Sequence, residues 1–183
     1  MIDLLELEKD LLRPHLKEGG TAVDFTMGNG HDTLWLTRQV GESGHVYAFD
    51  IQQQALDSTA AFLEKEGAPK NYTLIHDSHA NVLQYVKEPI CAGMFNLGYL
   101  PGGDKSVTTL RPSTMAAVEG AIELVDHGGG ILIAVYPGHA EGTLEGEMLQ
   151  TYFEGISRFK LCISCFKIVN SPASPFFYLL ERK

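Results

Sequence analysis

Five short apolar runs, each followed by a stretch of helical periodicity, constrain this chain more than any other feature of it. The runs are "TAVDFT" (21–26), "HVYAFD" (45–50), "YTLIHD" (72–77), "CAGMFN" (91–96) and "GGILIAVYP" (129–137). Apolar spacing and glycine stops predict an opening helix over 2–17 and others over 31–40, 53–66, 81–86, 113–125 and 144–157. Such alternation implies a parallel sheet wound on both faces by right-handed crossovers. The rhythm then changes. "KLCISCFKIV" and "PFFYLLERK" are joined by "NSPASP", too short for a crossover helix, so this terminal pair is antiparallel.

At 183 residues, 44% hydrophobic and 20% charged, the chain is expected to form one compact domain over 1–183 with a full core. Its apolar runs are strand-sized, short of the roughly 20 residues of a membrane span. The acidic opening "MIDLLELEKDLL" lacks the basic start of a signal peptide, so a cytoplasmic protein is expected. The three cysteines also suit a reducing compartment. Cys162 and Cys165 form a C-x-x-C within an alternating run, where strand geometry points them to opposite faces. With no second Cys/His pair at ligand spacing, strand packing is the expected role, and no metal site is expected. A net charge of −9 weighs against holding nucleic acid by its phosphates alone, though a local basic patch would still serve.

Sheets of this kind bind ligands at the carboxyl ends of their strands. The first run leads into "MGNGHDT", where Gly28 and Gly30 permit a tight turn and close backbone approach to a ligand. A plain strand–helix turn explains a lone G-x-G equally well. The second run ends in Asp50, 20 residues after Gly30, the distance of a carboxylate that grips ribose hydroxyls. The third ends in Asp77-Ser78-His79 and the fourth in Asn96. Each of these polar residues could be a helix cap; together they line one crevice. The third glycine of a dinucleotide fingerprint is Thr33 here, and no basic residue in the loop would meet a pyrophosphate. A nucleoside without phosphates is therefore favoured over NAD.

These strand ends and the antiparallel terminal pair resemble the class I S-adenosylmethionine-dependent methyltransferases. The resemblance implies a Rossmann-like, seven-stranded, mostly parallel sheet with an antiparallel C-terminal strand, and S-adenosylmethionine as cofactor. It places Gly28, Asn29 and Gly30 beside the methionine part, Asp50 on the ribose, Asp77 and Ser78 beside the adenine, and Asn96 under the sulfonium. Met27, Asp32, Thr33, Gln52 and His79 complete the cofactor-binding set so implied.

"NLGY" (96–99) resembles the Asn-Pro-Pro-Tyr motif of amino-methylating enzymes, with Leu97 and Gly98 in place of the prolines. The likeness implies that Asn96 and the Leu97 carbonyl accept hydrogen bonds from a target amine while Tyr99 stacks on its base. The alternative is that Tyr99 and Leu100 pack over the cofactor. "DFTMGNGHDT", "FDIQ", "DSHAN", "FNLGYLPGGDK" and "YPGH" together resemble a small bacterial family once labelled putative rRNA methylases. That family is associated with methylating the aminomethyl group of 5-aminomethyl-2-thiouridine at the tRNA wobble position. The resemblance implies a tRNA substrate met at its anticodon region, with Asn96, Tyr99 and His139 as catalytic residues. An alkylammonium of pKa near 10 must shed a proton before attack; His139, His79 and Asp104 are the candidate bases. Lys105 and Arg111 are candidate phosphate contacts, and Arg158, Lys160 and Lys167 form a second basic patch. An rRNA or small-metabolite methyltransferase, an oxidoreductase and a non-catalytic binding module remain the alternatives. A homodimer through an apolar patch on the first helix or the terminal pair is a further expectation.

Overall fold

The computed structural model describes residues 3–100, 102–103, 107–138 and 140–183. Among these, seven strands form one sheet: β1 (Thr21–Asp24), β2 (His45–Asp50), β3 (Tyr72–His76), β4 (Ile90–Asn96), β5 (Val125–Val135), β6 (Leu161–Phe166) and β7 (Phe176–Arg182). Their order is β3-β2-β1-β4-β5-β7-β6. The first five are parallel, and β7 runs antiparallel to both β5 and β6. The terminal pair therefore joins as expected, with β7 inserted between β5 and the edge strand β6. Cys162 and Cys165 lie on that edge strand as free thiols.

The helices are α1 (Leu4–Leu12), α2 (His31–Val40), α3 (Gln53–Lys65), α4 (Val82–Tyr85), α5 (Arg111–Leu124) and α6 (Ala140–Glu154). Period-two alternation along the strands sorts the core into two layers. Ile131, Ile133 and Leu180 pack with Ala117 and Val118 of α5 and Leu149 of α6 on one face. Ala22, Met94, Leu132 and Phe177 pack with Leu12 of α1 and Leu36 of α2 on the other. β5 is thus buried on both sides, as its unbroken apolar run implies.

Several ends differ from the sequence expectation, each for a local reason. The opening helix stops at Leu12 and tightens into a 3₁₀ turn over Arg13–His15, because Pro14 cannot continue the hydrogen-bond ladder. α5 begins at Arg111, two residues early, since Pro112 is tolerated in a first helical turn. The helix expected over 81–86 is a 3₁₀ turn (His79–Asn81), capped by the Ser78 hydroxyl, followed by the short α4. No helix among the described residues is long and apolar enough to cross a membrane.

The α5–β5 corner is closed by Arg182 of β7, which donates from Nη1 to the carbonyls of Val125 (2.7 Å) and Ile122 (3.2 Å). These are carbonyls that a helix end leaves without intrahelical partners. Arg182→Leu is expected to lower stability by about 1–3 kcal/mol. Urea unfolding reads this directly, and an unchanged midpoint would contradict the capping role.

Candidate active site

The loop after β1 is built around a buried carboxylate. Asp24, 1% exposed, accepts from the Thr33 hydroxyl (2.7 Å) and from the Thr26 N–H (3.1 Å). Burial, with Asp32 adding, pushes its pKa up to about 7. Gly28 has a φ of +53° and donates its N–H to Asp50 Oδ2 (3.1 Å), while Asp50 Oδ1 takes the Gln52 N–H (2.9 Å). Asp50 therefore fixes the glycine turn from the end of β2; burial raises its pKa. From below, Thr59 of α3 donates to the Gly28 carbonyl (3.0 Å). Gly30, at φ +83°, sits so close to Thr59 that a Cβ would lie 2.8 Å from its Cγ2. The glycine at 30 is thus required by the turn's packing against α3.

At the end of β3, Asp77 accepts from the Tyr85 hydroxyl (2.8 Å), the Ser78 N–H (2.7 Å) and the Asn81 amide (3.0 Å). These donors, Tyr85 foremost, hold its pKa below the ordinary value. His79 is buried, and its Nδ1–H donates to the Phe25 carbonyl (2.9 Å). Because a carbonyl only accepts, Nδ1 carries the proton; burial lowers the ring's pKa.

The end of β4 carries the most constrained side chain. The Asn96 backbone N–H donates to Thr26 Oγ1 (2.6 Å). Its side-chain Nδ2 donates to Asp32 Oδ2 (2.7 Å), and its Oδ1 accepts from the Tyr136 hydroxyl (3.1 Å). With a carboxylate on one side and a hydroxyl donor on the other, the amide can face only one way round. Lys9 of α1 stands 3.4 Å from the other Asp32 oxygen. Gly98 adopts a φ of +145°, which neither proline nor an ordinary L-residue takes comfortably. "NLGY" consequently does not reproduce the backbone of two consecutive prolines. The segment is stiffened otherwise: Gly98 and Thr109 exchange hydrogen bonds, and Thr109 and Thr114 both donate to the buried Glu145 of α6 at 2.8 and 2.5 Å.

All these strand ends open onto one cavity of about 860 Å³. Among the described residues, the cofactor-binding set singled out from the sequence and Tyr99 line it, except Gly30 and Thr33; the candidate phosphate contacts Arg111, Arg158, Lys160 and Lys167 do not. Thr33 faces the core, bound to Asp24. His139, Asp104 and Lys105 lie outside the described residues. Arg111 is engaged by Glu141 at 3.1 Å. Sequence reasoning missed Tyr136, which follows β5 and would have emerged from the same strand-end reading. It also missed Lys9 of α1 and Ala173 and Pro175 of the β6–β7 turn, which reach the cavity from elements that no strand-end rule covers.

The strand order, the reversed β7 and the cavity at the strand ends define a Rossmann-like methyltransferase fold. Residues 46–181 match the family described as "Putative rRNA methylase", and the chain belongs to it. The crystal structure of a "putative rRNA-methylase" from Clostridium thermocellum superposes with a TM-score of 0.96 at 36% identity, covering 100% of this chain and 99% of that one. A "putative methyltransferase" from Streptococcus mutans, solved in complex with SAH, gives 0.90 at 34% identity over 100% and 99% of the two chains. Among curated proteins, the chloroplastic tRNA (mnm(5)s(2)U34)-methyltransferase of Arabidopsis thaliana is 34% identical over 178 residues, 92% of this chain. The chain spans 65% of that relative's length.

Buried carboxyls give the stability a defined pH dependence. Glu8 of α1, 3% exposed, is pushed up to about 8 by burial and then by Asp32, and Asp24 to about 7. Both bind their protons more tightly when folded. The stabilisation is complete below the unfolded values near 4 and is lost as pH rises through 7 and 8. Unfolding free energy should therefore fall by on the order of 2 kcal/mol between pH 6.5 and 8.5. A urea midpoint that rises over that interval would contradict these assignments.

Proposed function

We propose that the chain is an S-adenosylmethionine-dependent N-methyltransferase acting on RNA. Its proposed target is the aminomethyl group of 5-aminomethyl-2-thiouridine at the tRNA wobble position. The observation that carries this reading is the Asn96 amide, held between Asp32 and Tyr136 in the same cavity as Asp50, with Tyr99 39% exposed beside it.

The donor set suits the cofactor. Among the described residues lining the cavity, the aspartates Asp32, Asp50 and Asp77 face one lysine, Lys9. That balance matches a cationic, phosphate-free nucleoside and mismatches a pyrophosphate. Asp50 would hold the ribose hydroxyls, Asp77 and Ser78 would flank the adenine, and the Gly28 turn would accommodate the amino-acid end. The cofactor supplies an electrophilic methyl group on sulfur that needs no activation by the protein.

The protein's part is placement. Asn96 Oδ1, fixed in direction by Tyr136 and Asp32, accepts an N–H from the incoming amine and orients its lone pair. The Tyr99 ring offers the attached base a stacking face, a contact worth about 1–3 kcal/mol. Gly98 and its bonds to Thr109 hold Asn96 and Tyr99 at a fixed separation. The tRNA-modifying relative and the shared family support the choice of RNA over a small metabolite.

Incubation with methyl-labelled S-adenosylmethionine and tRNA lacking the terminal methyl, followed by digestion to nucleosides, tests the proposal. Label is expected in 5-methylaminomethyl-2-thiouridine. Label in another nucleoside, or in none, would refute this assignment.

A further inference from the structure

We infer that the RNA strand carrying the target nucleotide crosses the rim of the cavity over the β6–β7 turn, with Lys167 as a phosphate contact. This rests on the reading of the substrate as RNA and adds where on the protein that RNA lies.

The cavity is electrostatically two-sided. The Asp, Glu, Lys and Arg side chains among its described lining are Lys9, Asp32, Asp50 and Asp77, all from α1 to the end of β3. From Asn96 onward the described lining carries none, and it includes the exposed side chains of Tyr99 and Leu110. The aspartates of the first half repel a phosphate chain, so a nucleic-acid strand is best placed over the second. Part of that second half is the β6–β7 turn, which reaches the cavity through Ala173 and Pro175. Its sequence, "KIVNSPASP" (167–175), holds no carboxylate in a chain that has 23 Asp and Glu residues.

Topology sets this turn apart from the other basic residues near the terminal pair. β6 is antiparallel to β7, and β7 to β5, so β6 runs parallel to β5. The turn after β6 therefore lies at the strand edge where the cavity opens, whereas Arg158 and Lys160, before β6, lie at the opposite edge. The six residues of β6 separate the two by roughly 20 Å. That is more than twice the ~8 Å screening length at physiological salt. What reads in the sequence as one basic patch is two, and of its three members Lys167 alone belongs to the cavity edge.

The turn is stiff. The Ser171 N–H donates to the Ile168 carbonyl (3.2 Å) and the Ser174 N–H to the Ser171 carbonyl (3.0 Å), while the two serine hydroxyls bond each other at 2.8 Å. With Pro172 and Pro175 added, little backbone entropy remains to be lost on binding. Lys167 is exposed and makes no ion pair with a described residue. Arg111, the other described cation on the segments lining this half, is held by Glu141 at 3.1 Å. Val169, 87% exposed, and the exposed Asn170 beside it offer uncharged contacts to sugar and base. These features fit a single strand, which can splay one nucleotide into the cavity while its neighbours stay on the rim.

Anisotropy titrations of an anticodon stem-loop bearing 5-aminomethyl-2-thiouridine test this with wild type, Lys167→Ala, Lys167→Glu and the double variant Arg158→Glu/Lys160→Glu. Lys167→Glu should weaken RNA binding by about fivefold or more, and the double variant by less than about twofold. Retained S-adenosylmethionine affinity in each variant checks the fold. Lys167→Ala should flatten the dependence of log affinity on log salt by about 0.7, the share of one single-strand phosphate contact. Unchanged RNA affinity in Lys167→Glu, or an equal loss in the double variant, would overturn the track while leaving the RNA substrate intact. A wild-type dimer that Lys167→Glu dissociates in sedimentation, with RNA affinity unchanged, would assign the turn to a second copy instead. Wild-type protein that binds no stem-loop would refute the RNA reading itself, and the track with it.

Discussion

The structure depends on one topological constraint, the reversal of strand order between β1 and β4. β1 is flanked by β2 on one side and β4 on the other. The chain leaving β1 turns toward β2 through α2, whereas the chain leaving β4 continues toward β5 on the opposite face. The two loops diverge and leave a crevice at the strand ends. Short bonds fix its floor: the Phe25 N–H donates to the Met94 carbonyl (2.9 Å) and the Asn96 N–H to the Thr26 hydroxyl (2.6 Å). The stacked rings of Phe25 and Phe95, 4.0 Å apart, pack beneath it. The position of Asn96 relative to the glycine turn is therefore a property of the sheet rather than of either loop.

On that floor the polar groups divide by position. Asp50 and the Gly28 turn belong to β1 and β2, on one side of the reversal. Asn96, Gly98 and Tyr136 belong to β4 and β5, on the other. Asp32 joins the two halves: it starts the helix that follows the glycine turn, yet its carboxylate holds the Asn96 amide. A single first-turn aspartate thus ties the proposed cofactor side to the proposed acceptor side. Its place explains why a residue that resembles part of a cofactor motif in the sequence ends up bonded to the acceptor asparagine.

Much of this was legible from residues alone, for reasons that can be named. A nearly unbroken apolar run made β5 recognisable, and strand-end polarity brought Asp50, Asp77 and Asn96 together. The structure adds contacts that no local pattern announces. Gly30 was read as a ligand contact, but its need for glycine comes from Thr59 of α3, a partner 29 residues away. Thr33 was assigned to the cofactor, yet its hydroxyl serves the buried Asp24. Lys9 was invisible because the helix carrying it precedes the first strand, and only tertiary packing sets it against Asp32 of α2. The Leu97-Gly98 pair marked a departure from a proline-rich motif, but the compensating ties from Thr109 to Glu145 span 36 residues and carry no local signal.

The central claim is that one cavity carries separable functions, with Asp50 gripping the cofactor and Asn96 orienting the acceptor. Calorimetric titration of S-adenosylmethionine into wild type, Asp50→Ala and Asn96→Ala protein tests it most directly. Loss of the aspartate should weaken cofactor affinity at least tenfold, about 1.4 kcal/mol or more, whereas loss of the asparagine should leave affinity within about threefold of wild type, under 1 kcal/mol. Equal losses in the two variants would contradict the division of labour on which the account rests.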